Sequence, residues 1–580
     1  MFNNKTCKWV VNRTNPEYVS YISRLASVSP SFAQVLINRG LKTSEQVAFF
    51  LNPDLSRLSD PFEMPGTRAA TDRIREAVKR GERVLIHGDY DADGITATAI
   101  MVEGLSGLGL DVRYFIPHRI NHGYGFGAAG IEKAKEVEAK LIITVDCGIT
   151  SFEAVSAANS LGIDVIITDH HEPVRASSVE RQALSVKEEI ILPEALAIIN
   201  PKLMTLDAQH STLSGAGVAF KLIQALLDNN IDNVRQLLDL AALGTGADVV
   251  PVVGDNRVIL SEGIKLIHSG ERPGLRALKE AAGIRPDFFK TSFLYYTLIP
   301  RINAAGRIAD ANDVVRLLTT KSAEEAMTLA KWLNGLNFKR QEIEELVYRD
   351  ALNRLEQTGD DHAAVVIAGE GWHPGVVGIV ASRLAEKYYK PAFVFSVVNG
   401  EAKGSARSIP PFDIYKGLTQ CKDILRRFGG HKQAAGLSLR SDDLDRFRDM
   451  ISGVVRDSLS EDDSAPVLNL DATVNISDIN IEMVEELARL EPFGYGNEEP
   501  LFGARGLEVI QPRIVGKNHL KMHLRQKGRR VDSIGFDFGG LLSTLEDNTL
   551  IDAAFSPKIN EWDGGRFLQL NLKAIRMTNR

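Results

Sequence analysis

The chain has 580 residues, too many for one hydrophobic core, and should divide into roughly three or four domains. A hydrophobic content of 44% and a charged content of 25% are those of an ordinary soluble protein. With no apolar run of about 18 residues and no apolar signal core in residues 1–12, the sequence predicts a cytoplasmic chain with no membrane span. The three scattered cysteines, Cys7, Cys147 and Cys421, argue against a disulfide framework or a cysteine zinc site. A net charge of −7 does not advertise nucleic-acid binding. The distribution says more than the sum. Residues 505–580 carry thirteen Lys and Arg against eight Asp and Glu, so this end is locally basic.

In chain order, residues 1–66 carry short helical patterns and the break Asp60-Pro61-Phe62-Glu63-Met64-Pro65-Gly66. A helix is predicted over 69–80, with Ala70, Ile74, Ala77 and Val78 on one face. Arg83–His87, Val112–Ile116, Leu141–Val145 and Asp164–Thr168 read as strands separated by helical stretches. That rhythm implies an α/β fold with a parallel sheet covered on both faces. Residues 213–243 and much of 258–282 are helical in pattern. Ser322 and Glu325 form a capping box, and the pattern then stays helical to Gln357. A second, smaller α/β unit starts at Ala363-Ala364-Val365 and runs to 458. The acidic linker Ser460–Pro466 follows, then short strands with Gly and Asn turns, as in a small β-barrel. The expected divisions are 1–66, 67–318, a linking helix over 319–358, 359–458 and 459–580, with no internal repeat.

Four acid-rich motifs carry the chemistry. His87-Gly88-Asp89-Tyr90-Asp91-Ala92-Asp93-Gly94 follows a strand at the edge where open α/β sheets place their sites. Read as an extended segment, alternate residues point to one side and the carboxylates converge, which is unfavourable unless a cation neutralises them. Gly94 would then turn the chain into a helix starting at Ile95. The other motifs are Val145-Asp146-Cys147-Gly148, Thr168-Asp169-His170-His171 and Gly244-Thr245-Gly246-Ala247-Asp248. A lone strand-end Asp is commonly a helix cap and a lone His is more often packed than ligating. Four such ends on one sheet resist that reading. Mixed carboxylate and imidazole donors suit Mn²⁺ or Mg²⁺, and two ions about 3.5–4 Å apart would support phosphodiester hydrolysis without a Ser or Cys nucleophile.

Asp169-His170-His171 with the upstream Asp-x-Asp resembles the DHH phosphoesterase superfamily. From about residue 60 to 575 the chain is similar to its bacterial RecJ family of single-strand-specific 5′→3′ exonucleases. The resemblance implies that Asp91, Asp93, Asp146, His170 and Asp248 hold two Mn²⁺ or Mg²⁺ ions. It places Asp89 and His171 beside Asp91 and Asp93 in the catalytic set. His87 has the spacing of a superfamily ligand, His-x-x-x-Asp-x-Asp. Gly246 stands where the family has a bulky apolar residue, which is expected to loosen the loop holding Asp248. Ile308-Ala309-Asp310-Ala311 departs from the acidic pair expected there.

Further motifs narrow the substrate. Trp372-His373-Pro374-Gly375-Val376-Val377-Gly378 enters a helix whose first amides can receive a phosphate. Gly404-Ser405-Ala406-Arg407 and Phe428-Gly429-Gly430-His431 add a hydroxyl, a guanidinium and close-approach glycines. Each alone reads as an ordinary turn; together they resemble the DHH-associated domain. By that resemblance Ser405 and Arg407 bind a 5′ phosphate, with Arg119, Arg301, Arg307, His373, Gly429, Gly430 and His431 as further substrate contacts. Salt bridging is the rival role for Arg119 and Arg301. The tail, with Leu490-Glu491-Pro492-Phe493-Gly494-Tyr495-Gly496-Asn497 leading into it, resembles an OB-fold that holds a single strand. Lys517, His519, Lys521, Arg529 and Arg530 are its expected charged wall. The implied function is 5′→3′ hydrolysis of single-stranded DNA to 5′-mononucleotides in repair and recombination. Implied partners are a single-strand-binding protein and a helicase, around a monomer. The alternatives are a phosphodiesterase for short oligonucleotides and a catalytically silent strand-binding scaffold.

Overall fold

The computed structural model describes residues 7–123, 125–175, 190–204, 212–285, 289–358, 362–562 and 565–578. Residues 1–6 of the N-terminal segment, and residue 359 where the second α/β unit is expected to start, lie outside the described residues. The chain forms two compact units: Asn52–Glu342 with Pro492–Asn497, and Met1–Leu51 with Ile343–Glu491 and Glu498–Arg580. No described helix is long and apolar enough to cross a membrane.

The unit built on Asn52–Glu342 is organised by a five-stranded sheet. Its strands are β1 (Arg83–His87), β2 (Asp111–Phe115), β3 (Leu141–Val145), β4 (Asp164–Thr168) and β5 (Ala197–Ile199). They lie in the order β2-β1-β3-β4-β5 and every pairing is parallel. Parallel strands covered on both faces read as continuous apolar runs, and all five residues of β3 are buried. From β1 the chain leaves toward β2 on one side, while β3 lies on the other. The loops after β1 and β3 therefore diverge and open a crevice at the carboxyl edge, the switch point where such sheets bind ligands.

Three helices that pack on one another bring residues to that edge: α1 (Ala92–Gly107), α2 (Gly215–Leu226) and α3 (Leu238–Ala247). Every residue of α2 is buried, the signature of a helix enclosed on all sides. That includes Lys221, whose Nζ lies 3.1 Å from Oδ2 of the equally buried Asp255. Phe220, Ile223, Ile100 and Leu240 are among the fully buried apolar side chains here, each contributing about 1.5–3 kcal/mol by leaving water.

Two local expectations change on folding. The Asp-x-Asp segment is not extended: α1 starts at Ala92, so Asp91 caps the helix and Asp93 lies in its first turn. The Gly244–Asp248 segment is not a loop: α3 runs through Ala247 and the Asp248 N–H donates to the Gly244 carbonyl at 3.1 Å.

In the other unit, Arg427–Gly430, Ala434–Arg440, Glu401–Arg407, Ala392–Val398 and Val365–Glu370 form a five-stranded sheet in that order. Its pairings are antiparallel except the last. A barrel follows, its long strands Phe502–Val515 and Leu550–Trp562 pairing to close it. The N-terminal segment is not purely helical, because Lys8–Val11 pairs in parallel with Val467–Leu470. Asn38 Nδ2 and Arg39 Nη1 both hydrogen-bond Oδ1 of Asp471 at 3.1 Å. These pairings group the first 51 residues with this unit, so the division expected at 66 falls earlier. The acidic stretch after 459 holds a short 3₁₀ turn, Glu461–Ser464. The long helix spans Ala323–Thr358. Its capping box is half formed: Ser322 Oγ accepts the Glu325 N–H at 3.3 Å. The Glu325 carboxylate turns instead to Arg316 and Thr320.

Candidate functional site

Asp91 caps α1, its Oδ1 accepting the N–H groups of Asp93 at 3.0 Å and Gly94 at 3.1 Å. Asn303 supports the same turn, its Oδ1 accepting the Ala92 N–H at 2.9 Å. Asp93 reaches the start of α2, accepting the Gly215 N–H at 2.7 Å and the Ala216 N–H at 2.8 Å. The positive end of that helix favours the charge. Asp146 follows β3 at φ +59°, a left-handed conformation that Asp tolerates better than most residues. Asp169 is the scaffold of the third motif. Its Oδ1 accepts the N–H of His170 at 2.7 Å and of His171 at 3.1 Å, and Nδ1–H of His171 at 2.7 Å. Its Oδ2 accepts the Ile149 N–H at 2.9 Å.

The four motifs meet in three overlapping trios, Asp146–His170–His171, Asp93–His170–Asp248 and Asp89–Asp91–Asp146. Each offers donor atoms within 4.8 Å of one another. His170 is the centre: its Nε2 lies 3.0 Å from Oδ1 of Asp146 and 3.8 Å from Oδ2 of Asp93. Its Nδ1 lies 3.5 Å from Oδ2 of Asp248. Asp91, Asp93, Asp146, His170 and Asp248 are thus brought together with Asp89 and His171.

Burial, then like charge, sets the electrostatics. Desolvation raises the pKa of Asp89, Asp93 and Asp146, and neighbouring carboxylates add to it: Asp91 for Asp89, Asp248 for Asp93, Asp93 for Asp146. Burial holds His170 below its ordinary value. Burial works against His171 too, but its hydrogen bond and ion pair with Asp169 prevail and raise it to about 9. Burial would raise Asp169; the same partner reverses that and lowers it.

These donors fit a divalent cation. Oδ1 of Asp89, Oδ1 of Asp146 and Oδ2 of Asp248 are buried and accept no hydrogen bond, although His170 stands in ion-pair range of the last two. Buried orphan carboxylate oxygens are unfavourable without a positive partner. Oxygen and imidazole donors without a thiolate suit Mn²⁺ or Mg²⁺. Cys147 is buried and its thiol is pushed well above its usual range.

His87 belongs elsewhere. Its ring sits edge-on to Phe115 and Phe126, with centroids at 5.6 and 5.1 Å, and burial lowers its pKa to about 4. It joins none of the three trios. Arg119 lies over the Tyr90 ring at 5.0 Å, beside the Asp89–Asp91 turn; the charge of Arg307 opposes the rise that burial gives the Tyr90 pKa. Arg301 is buried, donating to Asn334 Oδ1 at 2.9 Å and the Thr297 carbonyl at 2.7 Å.

In the other unit, a Cβ at Gly378 would meet Ser405 Oγ at 3.4 Å and Arg407 Nη2 at 3.3 Å. The glycine therefore leaves room for both polar groups at a helix start. Ser405 pairs across the sheet with Gly436, which pairs with Gly429, so the row beside the hydroxyl carries no side chain. Gly430 has φ +141°. The His431 N–H closes the turn onto the Ala434 carbonyl at 2.8 Å. His373 Nδ1 accepts the Gly375 N–H at 3.0 Å, bending the loop into the helix. On the barrel, Arg529 donates to the carbonyls of Ser477 and Ile479, Arg530 to Gln511, and Lys521 pairs with Asp532. His519 Nδ1 accepts the Asp537 N–H. Much of the expected wall is thus engaged within the barrel.

Sequence reasoning missed the supports: Asp169, Asn303 and the close-approach glycines. A Cβ at Gly215 would meet Asp146 at 2.6 Å, and one at Gly306 the Tyr90 carbonyl oxygen at 1.8 Å.

Three family models match: the DHH family N-terminal domain over 83–245, the DHHA1 domain over 360–457 and the RecJ OB domain over 470–574. A relative, the single-stranded-DNA-specific exonuclease RecJ of Bacillus subtilis (strain 168), is 37% identical over 570 residues. The match covers 98% of this chain and 70% of that one. The crystal structure of RecJ in complex with Mn²⁺ from Thermus thermophilus superposes with a TM-score of 0.84 at 32% identity. It covers 99% of this chain and 80% of that one. Its Mg²⁺ complex gives 0.79 at 31%, over 99% and 79%.

Proposed function

The chain belongs to the RecJ family of single-stranded-DNA-specific exonucleases, and on that premise we propose that it digests single strands from a 5′ end to 5′-mononucleotides. It is a metal-dependent phosphodiester hydrolase that binds single-stranded DNA, with Mn²⁺ or Mg²⁺ as cofactor. The observation that carries the site is the overlap of three donor trios on Asp146 and His170.

When bound, the ions supply Lewis acidity and water activation for phosphodiester cleavage. Asp91, Asp93, Asp146, His170 and Asp248 would hold them, with Asp89 at the edge of the set. Asp169 Oδ1 accepts the Nδ1–H of His171, which fixes the ring and leaves Nε2 for a phosphodiester oxygen. In the metal-free protein the pairing with Asp169 raises His171 to about 9. Arg119 and Arg307 would neutralise the strand backbone. Ser405 and Arg407 would clasp the terminal phosphate over the side-chain-free row of Gly429 and Gly436, an Arg fork matching phosphate oxygens. Arg301 would act through Asn334 on the long helix Ala323–Thr358.

Digestion of 5′-phosphorylated strands, single and double, blocked at either end and titrated with Mn²⁺, tests this reading. Single strands with an open 5′ end should be consumed, duplexes spared. Consumption of strands open solely at the 3′ end would overturn the polarity. We further propose a monomer with a single-strand-binding protein and a helicase as partners, to be tested by sedimentation and co-purification.

A further inference from the structure

Pro492–Asn497 packs within the Asn52–Glu342 unit, although the residues on both sides of it in sequence belong to the other unit. Its contacts bracket Asp248. On the side before Asp248, a Cβ at Gly246 would meet Leu294 Cδ2 at 2.9 Å and Tyr295 Cε1 at 3.4 Å, so the missing side chain admits the Tyr295 ring. The Tyr295 hydroxyl donates to the Phe493 carbonyl at 2.7 Å. Tyr295 lies on a π-helical turn, Leu294–Leu298, a rare geometry concentrated at functional places. On the side after Asp248, the Val252 N–H donates to the Tyr495 carbonyl at 2.9 Å. Gly496, at φ +71°, lies against Pro251, to whose Cβ an added Cβ would come within 3.3 Å.

The turn is itself rigid. Gly494 and Asn497 exchange both backbone hydrogen bonds, at 3.0 and 3.1 Å. Asn497 is fully buried and its Nδ2 donates to the Pro492 carbonyl at 2.9 Å. Asn256 Nδ2 holds the Pro251 carbonyl at 3.0 Å from another direction. Between these fixed points the chain surfaces: Val249 is 74% exposed. Asp248 thus stands on a short span in which Val249 is the exposed residue; the turn holds its far end through Val252 and reaches its near end through Tyr295.

We propose that the Pro492–Asn497 turn, held by Tyr295, is a positioning element that sets Asp248 at the metal cluster and thereby tunes ion affinity. This rests on Asp248 being a metal ligand. A ligand carboxylate must be held within about 0.5 Å of its working place, and supports of ligands commonly alter affinity by about 10–100-fold. A single hydrogen bond sits at the lower end.

Tyr295→Phe keeps the ring against Gly246 and deletes the bond to Phe493. Mn²⁺ binding to the full chain, read by electron paramagnetic resonance of the free ion, should weaken roughly three- to tenfold. Single-strand affinity without metal should stay at the parent value. Gly496→Ala presses on Pro251 from the turn side and should weaken Mn²⁺ binding likewise; it carries the test if Tyr295→Phe does not fold. Asp248→Asn is the reference. If it loses Mn²⁺ while the other two bind like the parent, even with lower melting temperatures, the turn is merely structural and the proposal is overturned. If Asp248→Asn itself binds Mn²⁺ like the parent, the ligand assignment fails and the proposal with it.

Discussion

Gly244 abuts Asp93: a Cβ built on Gly244 would fall 2.6 Å from Oδ1 of Asp93, and 2.3 Å from the Ala216 Cβ. The helix that ends at Asp248 thus passes so close to Asp93 that no side chain fits between them. The placement of the Asp93 carboxylate and the packing of the helix are the same contact here.

Gly244→Ala should therefore damage both. Overpacking at such a point costs about 1–3 kcal/mol, and shifting Asp93 off the Gly215 and Ala216 amides should lower cleavage by at least about tenfold. Gly246→Ala, which meets the flexible Leu294 side chain at 2.9 Å, should be milder on both counts. Urea unfolding and Mn²⁺-dependent digestion of the two variants check the order. Equal behaviour would sink the argument.

Asp146 takes part in two of the three donor trios, so Asp146→Asn should remove more metal affinity than any change at a singly placed residue. Mn²⁺ binding should fall at least about 100-fold, with digestion falling in step. The variant should melt no lower than the parent in chelator, because it removes a buried charge held at an unfavourable pKa. A metal-free melting temperature well below the parent's would contradict this.

The Asp169–His171 pair predicts a pH window for the metal-free protein. His171 is raised, from 6.5 to about 9, so its contribution is complete below 6.5 and is lost as pH rises through about 9. Asp169 is lowered, so its contribution is present above the ordinary carboxylate value and is lost as pH falls below it. His171→Ala should thus destabilise by on the order of 2 kcal/mol between about pH 5 and 7.5 and by much less at pH 10. Melting curves in chelator across that range decide it, and a pH-independent difference would refute the pairing.

Arg407→Lys retains the charge but loses the planar fork. If Arg407 clasps a terminal phosphate, the half-saturating concentration of 5′-phosphorylated strands should rise about tenfold. Turnover at saturation should change little. Strands with a 5′ hydroxyl should respond less. An equal response for the two ends would remove Arg407 from the end pocket.

Part of this molecule is written locally. The runs at Arg83–His87, Leu141–Val145 and Asp164–Thr168 are buried strands by composition alone, each followed at once by the acids or imidazoles that matter. Side-chain periodicity acts over a few residues, so a linear reading captures it. Convergence of Asp91 and Asp93 was also expected, but through the wrong geometry. The pair works as a cap and a first-turn residue of α1, because capping satisfies amides that an extended segment would leave to water.

What remained hidden depends on contacts between distant residues. The strand order sets β3 beside β1 and so brings Asp146 to Asp89 and Asp91. The fold sends α3 past Asp93 at Gly244, removes His87 to an aromatic pocket, and seats Pro492–Asn497 against the span that carries Asp248. The sequence by itself determined which donor types stand at which strand ends. Only the tertiary structure decided which of them share a site, because that choice is made by packing between segments that no short-range period relates.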